Sequence, residues 1–394
     1  MIPFSSRTPR EIVINRFSQL IERKRFEGAE LLNLTESNPT RAGFDYPQKD
    51  LLAALAQPAS LRYEPDPKGL MRARMAVVDY YAERAITVEG ERIVLTASTS
   101  EAYTWLFKLL AEPGDSVLVP VPSYPLFDHL AHVECVKPIP YPLYFDGAWQ
   151  IDFAALRAAC RPDTRAIILV NPNNPTGSFL KRYELAQLID ICHQENLVLI
   201  CDEVFADYAY DQDNERVSSL TSVNEILTFT LNGLSKIAAL PQLKLGWIVV
   251  NGHTAIAEEA CARLEFIADL FLSVATPVQH ALSALLASAP MLQDQLRIRV
   301  ADNRAWLAAE LVPQSGCQLL PAEGGWYAIV RVPRIMSEEE MVLELLEYDN
   351  VLTHPGYFFD FPSEAWLILS MITPTEIFRE GTSRLLRRIH QWLK

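Results

Sequence analysis

The 394-residue chain reads as an α/β protein, a large doubly wound layer of mostly parallel strands accompanied by a smaller α+β unit. Three observations predict this. Short apolar, β-branched runs recur, and each leads into a helical pattern. Runs such as AIILV (166–170) and LVLIC (197–201) are apolar throughout, as strands covered by helices on both faces must be. Beyond Thr276 and Pro277 the alternation stops, and long helical stretches with only a few strands take over.

In chain order, residues 1–44 hold one amphipathic helix and then an extended ESNPT stretch (36–40) with no sheet of its own, expected to pack on the C-terminal lobe. Strands are predicted at 93–96, 116–119, 166–170, 197–201, 226–231 and 247–250. Between two of them, 181–195 is an amphipathic helix with Tyr183, Leu185, Leu188, Ile189 and Cys192 on its apolar stripe. The proline-rich stretches PVPSYP (120–125), PIPYP (138–142) and NPNNP (171–175) read as loops. From 276 to about 311 the chain is helical, followed by strands in GGWYAIVRV (324–332) and WLILSM (366–371) and helices at 337–348 and 378–392. The acidic SEEEM (337–341) reads as a helix start, and the aromatic GYFFDF (356–361) as core packing. The expected division is a large unit over 45–280 and a small one formed by 1–44 with 281–394.

Composition narrows the function. A net charge of −14 repels a phosphate backbone, and no run of five basic residues overrides it, so nucleic acid and anionic membrane are not expected partners. Neither a signal-peptide-like start nor a membrane-length apolar run is read, which suggests a cytoplasmic protein. Six scattered cysteines without C-x-x-C spacing read as buried hydrophobes. His129 and His132 stand three apart without a suitably spaced third ligand, so no metal site is expected.

The chemistry concentrates in four segments that would lie at the carboxyl ends of strands, where open α/β sheets hold ligands. These are TASTSEAY (96–103), NPNNPTG (171–177), CDEVF (201–205) and NGLSK (232–236). Taken together and in this order they resemble the class I and II aminotransferases, a group of fold-type I enzymes that use pyridoxal 5'-phosphate, over roughly residues 63–355. That resemblance implies a mostly parallel seven-stranded sheet sandwiched by helices, with a smaller α+β domain.

It also implies roles. Lys236, in Leu-Ser-Lys between two strand patterns, would hold the cofactor as a Schiff base and move the substrate's α-proton, which requires an amine partly neutral near pH 7. Asp202 would face the pyridine nitrogen and keep it protonated. Asn174 would bind the cofactor's 3-hydroxyl oxygen, from a loop that two Asn-Pro steps make non-helical, while Asn173 reads as a turn residue. Ser98, Thr99 and Ser100, ahead of a helical run, would bind the phosphate with help from Ser235. Tyr124 would stack on the ring, and Tyr63 would reach the neighbouring copy's phosphate, making a homodimer the active unit. Glu203 would point away and be structural.

Three positions depart from the family pattern. Phe205 stands where a tyrosine usually shares the 3-hydroxyl oxygen, so the Schiff base is expected to keep its proton to higher pH. Lys244 replaces an arginine, giving a point charge instead of a fork. Ile368 occupies the strand position expected to carry the arginine that binds a substrate carboxylate. Arg41 is a candidate substitute, with Asn38 on the same loop as a second substrate contact. The expected activity is transfer of an amino group between an amino donor and a keto acid or aldehyde. A carbon–sulfur β-elimination lyase is the alternative, and a catalytically silent cofactor-binding homologue a third reading.

Overall fold

The apolar runs come together as a single sheet. The computed structural model describes residues 4–8, 14–312 and 316–394. Of the opening stretch read as lacking a leader, residues 1–3 and 9–13 lie outside the described residues. The chain begins with α1 (Arg16–Phe26) and the two-residue β1 (Leu32–Asn33), followed by α2 (Gln48–Leu55) and α3 (Met71–Ala82). Then come β2 (Ile93–Thr96), α4 (Thr99–Leu110), β3 (Ser116–Val121), α5 (Phe127–Val133), β4 (Lys137–Phe145), β5 (Trp149–Ile151) and α6 (Phe153–Ala159). The layer continues with β6 (Thr164–Val170), α7 (Arg182–Glu195), β7 (Val198–Asp202), β8 (Thr228–Gly233), α8 (Leu234–Ile237), β9 (Gly246–Asn251) and α9 (Thr254–Asp269). Next are α10 (Thr276–Ala287), α11 (Ala289–Leu311), β10 (Gln318–Leu319), β11 (Tyr327–Arg331), α12 (Glu338–Asp349), β12 (Val351–Leu352), β13 (His354–Pro355), β14 (Trp366–Ser370) and α13 (Thr375–Trp392).

Among the described residues the large sheet has eight strands in the order β2-β9-β8-β7-β6-β3-β4-β5. Its centre, from β8 to β4, is parallel. β9 is antiparallel to both β2 and β8, and β5 is antiparallel to β4. The doubly wound expectation holds, with one strand more than seven: β5 folds back on the end of β4. Alternate strand residues feed opposite cores, which is why these runs carry no polar face. Ala166, Ile168 and Ile200 pack with α4 and α9, whereas Ile167, Leu169 and Leu199 pack with α7.

β4 corrects the reading of PIPYP as a loop. The amide of Lys137 points to β3, bonding Asp115 O at 2.8 Å, while the Pro142 carbonyl faces outward to Asp152 N at 3.0 Å. Pro138, Pro140 and Pro142 therefore share the outward side, where β3 asks for no donor, and the strand tolerates all three. The helix at 181–195 forms as α7, its first turn tied by Lys181 N donating to Glu184 Oε2 at 2.9 Å, but Tyr183 is 50% exposed and Ile191 takes its place in the apolar stripe.

β11, β13, β14 and β10 make a second, antiparallel sheet in the order β10-β11-β14-β13, covered by α11, α12 and α13. The N-terminal segment does join a sheet, since β1 pairs in parallel with β12 (Leu32 opposite Val351), and α1 packs on α12. The start of α12 carries a Ser337–Glu340 capping box. Its Glu338 is buried and accepts Tyr357 N at 2.9 Å and Trp366 N at 2.8 Å, tying the aromatic 356–361 turn to the helix.

Candidate active site

Because β2 and β8 both run antiparallel to β9, their carboxyl ends lie at the same edge as those of β3, β6 and β7. The four chemistry-bearing segments, and the Ser123–Tyr124 turn after β3, thus open on one edge of the sheet.

Lys236 sits in the one-turn α8 that follows β8. Gly233 begins this turn, and a Cβ there would press on the Gly246 Cα and the Leu245 carbonyl. Only part of Lys236 reaches solvent, and its Nζ lies 4.9 Å from the Trp326 ring centre and 5.4 Å from that of Phe205. Burial lowers this amine from the usual lysine range to about 8, against the opposing pull of the Asp202 charge.

Asp202 is the last residue of β7 rather than one beyond it, and it is buried. Its Oδ1 accepts Val204 N at 3.1 Å, yet burial pushes the carboxyl up to about 6. Glu203, one residue on, faces the other way: its carboxylate accepts Ser219 Oγ and Leu220 N, both at 2.7 Å. That agrees with a structural role. Tyr124, half-buried, is close enough to Asp202 to feel its charge, and burial raises its hydroxyl to about 12.

The 171–177 loop is tied down by its other asparagines. Asn171 bonds Val217 O and Leu180 N, and Asn173 bonds Ser123 Oγ, Pro122 O and Thr176 Oγ1. Asn174 is left free: it is buried, and its Oδ1 has no partner among the described residues. Such an amide is costly unless a ligand satisfies it.

Ser98 caps α4, its Oγ accepting Glu101 N at 3.2 Å. Neither the Thr99 nor the Ser100 hydroxyl is hydrogen-bonded among the described residues, and both are half-buried at the positive end of a twelve-residue helix. Gly246 passes behind this end, where a Cβ would crowd Asn232 O and Ser98. Ser235 is half-buried beside Lys236, and Lys244 is exposed on the turn two residues before Gly246.

The remaining expected residues lie on other parts of the chain. Tyr63 is 80% exposed. Arg41 is exposed, and its side chain has no hydrogen bond or ion pair among the described residues. Asn38 caps the turn Pro39–Arg41 through Thr40 N at 3.1 Å. Ser37 of the same loop lies next to the Tyr327 hydroxyl. On β14 no arginine is present, and Ile368 is fully buried opposite Ile329 and His354. His354 cannot stand in as a cation, because burial against Phe358 and Phe359 lowers it to about 4.

Three site residues escaped the sequence reading. Tyr103, one turn into α4, is fully buried with its hydroxyl beside the Asp202 carboxyl; helical spacing from Thr99 could have found it. Trp326 and Tyr327 come from β11 of the small sheet and pack edge-on against Phe205, at ring distances of 4.9 Å and 6.4 Å. No local signal marks that pairing, because the partners lie about 120 residues apart in the chain.

Known proteins share this arrangement. Over 94% of the chain and 95% of the relative, the sequence is 31% identical to a glutamate-pyruvate aminotransferase, AlaA, of Escherichia coli K12. It is 30% identical to an alanine aminotransferase of Mycobacterium bovis over 86% and 80% of the two chains. The crystal structure of an Escherichia coli aminotransferase superposes with a TM-score of 0.87 at 27% identity, covering 99% and 98% of the two chains. The family model for aminotransferase class I and II matches residues 29–383, and the chain belongs to that family of pyridoxal-phosphate-dependent, amino-group-transferring enzymes.

Proposed function

We propose that this chain is itself a pyridoxal-phosphate-dependent aminotransferase whose reactive amine is Lys236. The observation that carries the reading is the state of the cluster at the sheet edge. It combines a buried carboxyl raised to about 6, a lysine lowered to about 8 and an amide without a partner. Each is an uncompensated polar group, and each matches one feature of the cofactor. A protonated ring nitrogen offers Asp202 the cation that its burial calls for. The Asn174 amide suits the 3-hydroxyl oxygen, and the free hydroxyls and amides opening α4, with Ser235 and Lys244, suit a phosphate. Tyr124 covers the ring. When bound, pyridoxal phosphate supplies an electron sink for breaking a bond at the substrate's amino-bearing carbon.

Lys236 does the proton work. At pH 7 an amine titrating near 8 is about one-tenth neutral, several hundred times more than a free lysine, so its Nζ can both attack a carbonyl and carry a proton. The aromatic rings of Phe205 and Trp326 keep bulk water from that nitrogen. The small unit (1–44 with 281–394) contributes the Trp326 side of this wall to the large one (45–280), and β1–β12 pairing supports that division. The exposed Tyr63, close to the exposed Leu61, supports a homodimer in which Tyr63 meets the neighbouring copy.

Relatives named for alanine and for glutamate and pyruvate make a small α-amino acid the first donor to try. The lack of an arginine on β14 makes an amine without a carboxylate the second. The lyase alternative is not favoured, because the relatives above carry aminotransferase names. The test is borohydride reduction of the purified holoenzyme followed by peptide mapping, with donors then added in the absence of acceptor. A cofactor adduct at Lys236 and amine-form cofactor after one half-reaction are expected. Normal turnover by Lys236→Ala would overturn the proposal, and pyruvate with ammonia released without a keto acceptor would replace transfer with elimination.

A further inference from the structure

α8 is four residues long, too short to hold itself together. Backbone amides close only part of it, Ala238 N and Leu240 N on Leu234 O and Ala239 N on Lys236 O, and side chains from outside reinforce the later carbonyls. Tyr208 Oη donates to Lys236 O at 2.6 Å, Gln293 Nε2 donates to Ile237 O at 2.9 Å, and Tyr46 Oη donates to Ala239 O at 2.8 Å. The three donors come from three places, namely the turn after β7, helix α11 and the segment before α2. Gln293 is itself held: the same Nε2 donates to Asp207 Oδ2 at 2.9 Å. Asp207 in turn is gripped by the Arg84 fork, through Nε at 2.9 Å and Nη2 at 3.0 Å, and by Tyr80 Oη at 3.1 Å. Tyr208 and Gln293 are both buried, so water does not compete for these carbonyls.

We propose that Tyr208 and Gln293, the latter anchored by the Arg84–Asp207 pair, are positioning residues that fix the root of Lys236 so that its amine stays against the paired rings of Phe205 and Trp326. The proposal rests on Lys236 being the reactive amine. Asp202 is the charged group facing that amine, and the clamp keeps the two in register without touching either. Release of the Lys236 or Ile237 carbonyl lets the turn unwind and the long side chain swing toward water, where it recovers its ordinary proton affinity.

The test uses Tyr208→Phe and Gln293→Leu. Tyr208→Phe removes one hydroxyl and keeps the ring that packs on Trp326 at 5.2 Å, so it serves if Gln293→Leu fails to fold. Cofactor-free protein is labelled with trace acetic anhydride across pH, and modification at Lys236 is followed by peptide mass spectrometry. The unaltered chain should show a midpoint near 8. Each variant should raise it by about one unit. In the holoenzyme kcat should fall about tenfold with KM within about threefold. Wild-type midpoints and turnover in the variants, with only a lower melting temperature, would overturn the clamp while leaving Lys236 as the reactive amine. An ordinary lysine midpoint in the unaltered chain would instead remove the reading beneath it, and the clamp with it.

Discussion

Replacing Lys236 with methionine should destroy activity and yet stabilise the cofactor-free protein at pH 7. The side chain stays unbranched and apolar, one atom shorter, and loses a charge that the site disfavours. A fall from 10.5 to about 8 corresponds to about 3 kcal/mol of penalty on the charged form. Lys236 is a base whose folded-state value lies below its unfolded one. The folded state therefore holds the proton less well, and the penalty acts in full below about pH 8 and fades as pH rises toward 10.5. Two effects oppose the gain. The ammonium's attraction to the Trp326 and Phe205 rings is lost, worth about 1 kcal/mol. Asp202 also loses the opposite charge that lowers it, so it climbs further above its already raised value. A net stabilisation of about 1–2 kcal/mol at pH 7 is expected, shrinking toward zero by about pH 10. Guanidinium unfolding of the two cofactor-free proteins at a series of pH values measures it. A variant less stable than the unaltered chain at pH 7, or a gain that does not shrink with rising pH, would refute the idea that burial strains this lysine.

Phe205→Tyr places a hydroxyl on the ring that faces Lys236, supplying the donor the family usually has there. The visible band of the holoenzyme should then titrate about one pH unit lower, and an unchanged midpoint would show that position 205 does not reach the cofactor oxygen. Gly177→Ala should cost about 2–3 kcal/mol, because φ is +68° and the added methyl meets the Gly324 carbonyl and Ala322. Gly147→Ala is the control, with φ at +74° but open space around it, and should cost only about 1 kcal/mol. Denaturation midpoints compare the two, and equal losses would mean that the contact with Gly324 contributes nothing.

How far the sequence could be read follows from which interactions are local. The strands β6, β7 and β8 and the residues at their ends were legible because apolar runs followed by Asn-Pro, Asp and Ser-Lys put signal and structure in the same ten residues. β4 was not, because proline argues against a strand unless it is known which edge lacks a partner, and that depends on β3 flanking residues 137–142 while β5 joins only from 143 to 145. The second wall of the site was hidden for a similar reason. Trp326 and Tyr327 reach Phe205 and Lys236 only once the two sheets pack together. Ser37, on the loop that carries Asn38 and Arg41, was not read as a site residue although its side chain meets Tyr327. One residue along an irregular loop changes the direction of a side chain, and no periodicity fixes it.

The most destabilised groups of the cluster are also its most functional ones, and the rest of the fold is arranged to bear them. Asp202 and Lys236 hold unfavourable charges, and Asn174 holds an unused amide, in a region where Ile168, Ile200, Phe229 and Leu231 bury fully on one face of the sheet and Leu199 and Cys201 on the other. A fully buried aliphatic side chain stabilises by about 1.5–3 kcal/mol, so two or three of them offset the strained lysine and aspartate together. The parallel strands thus do more than aim the site. They supply the stability that lets a lysine stay partly neutral at pH 7 and a carboxyl wait for a cation, and a cofactor that brings a protonated ring nitrogen and a phosphate converts both penalties into binding free energy. Retention of the cofactor should therefore tighten the fold most in the pH interval, about 6 to 8, where the free site carries both charges.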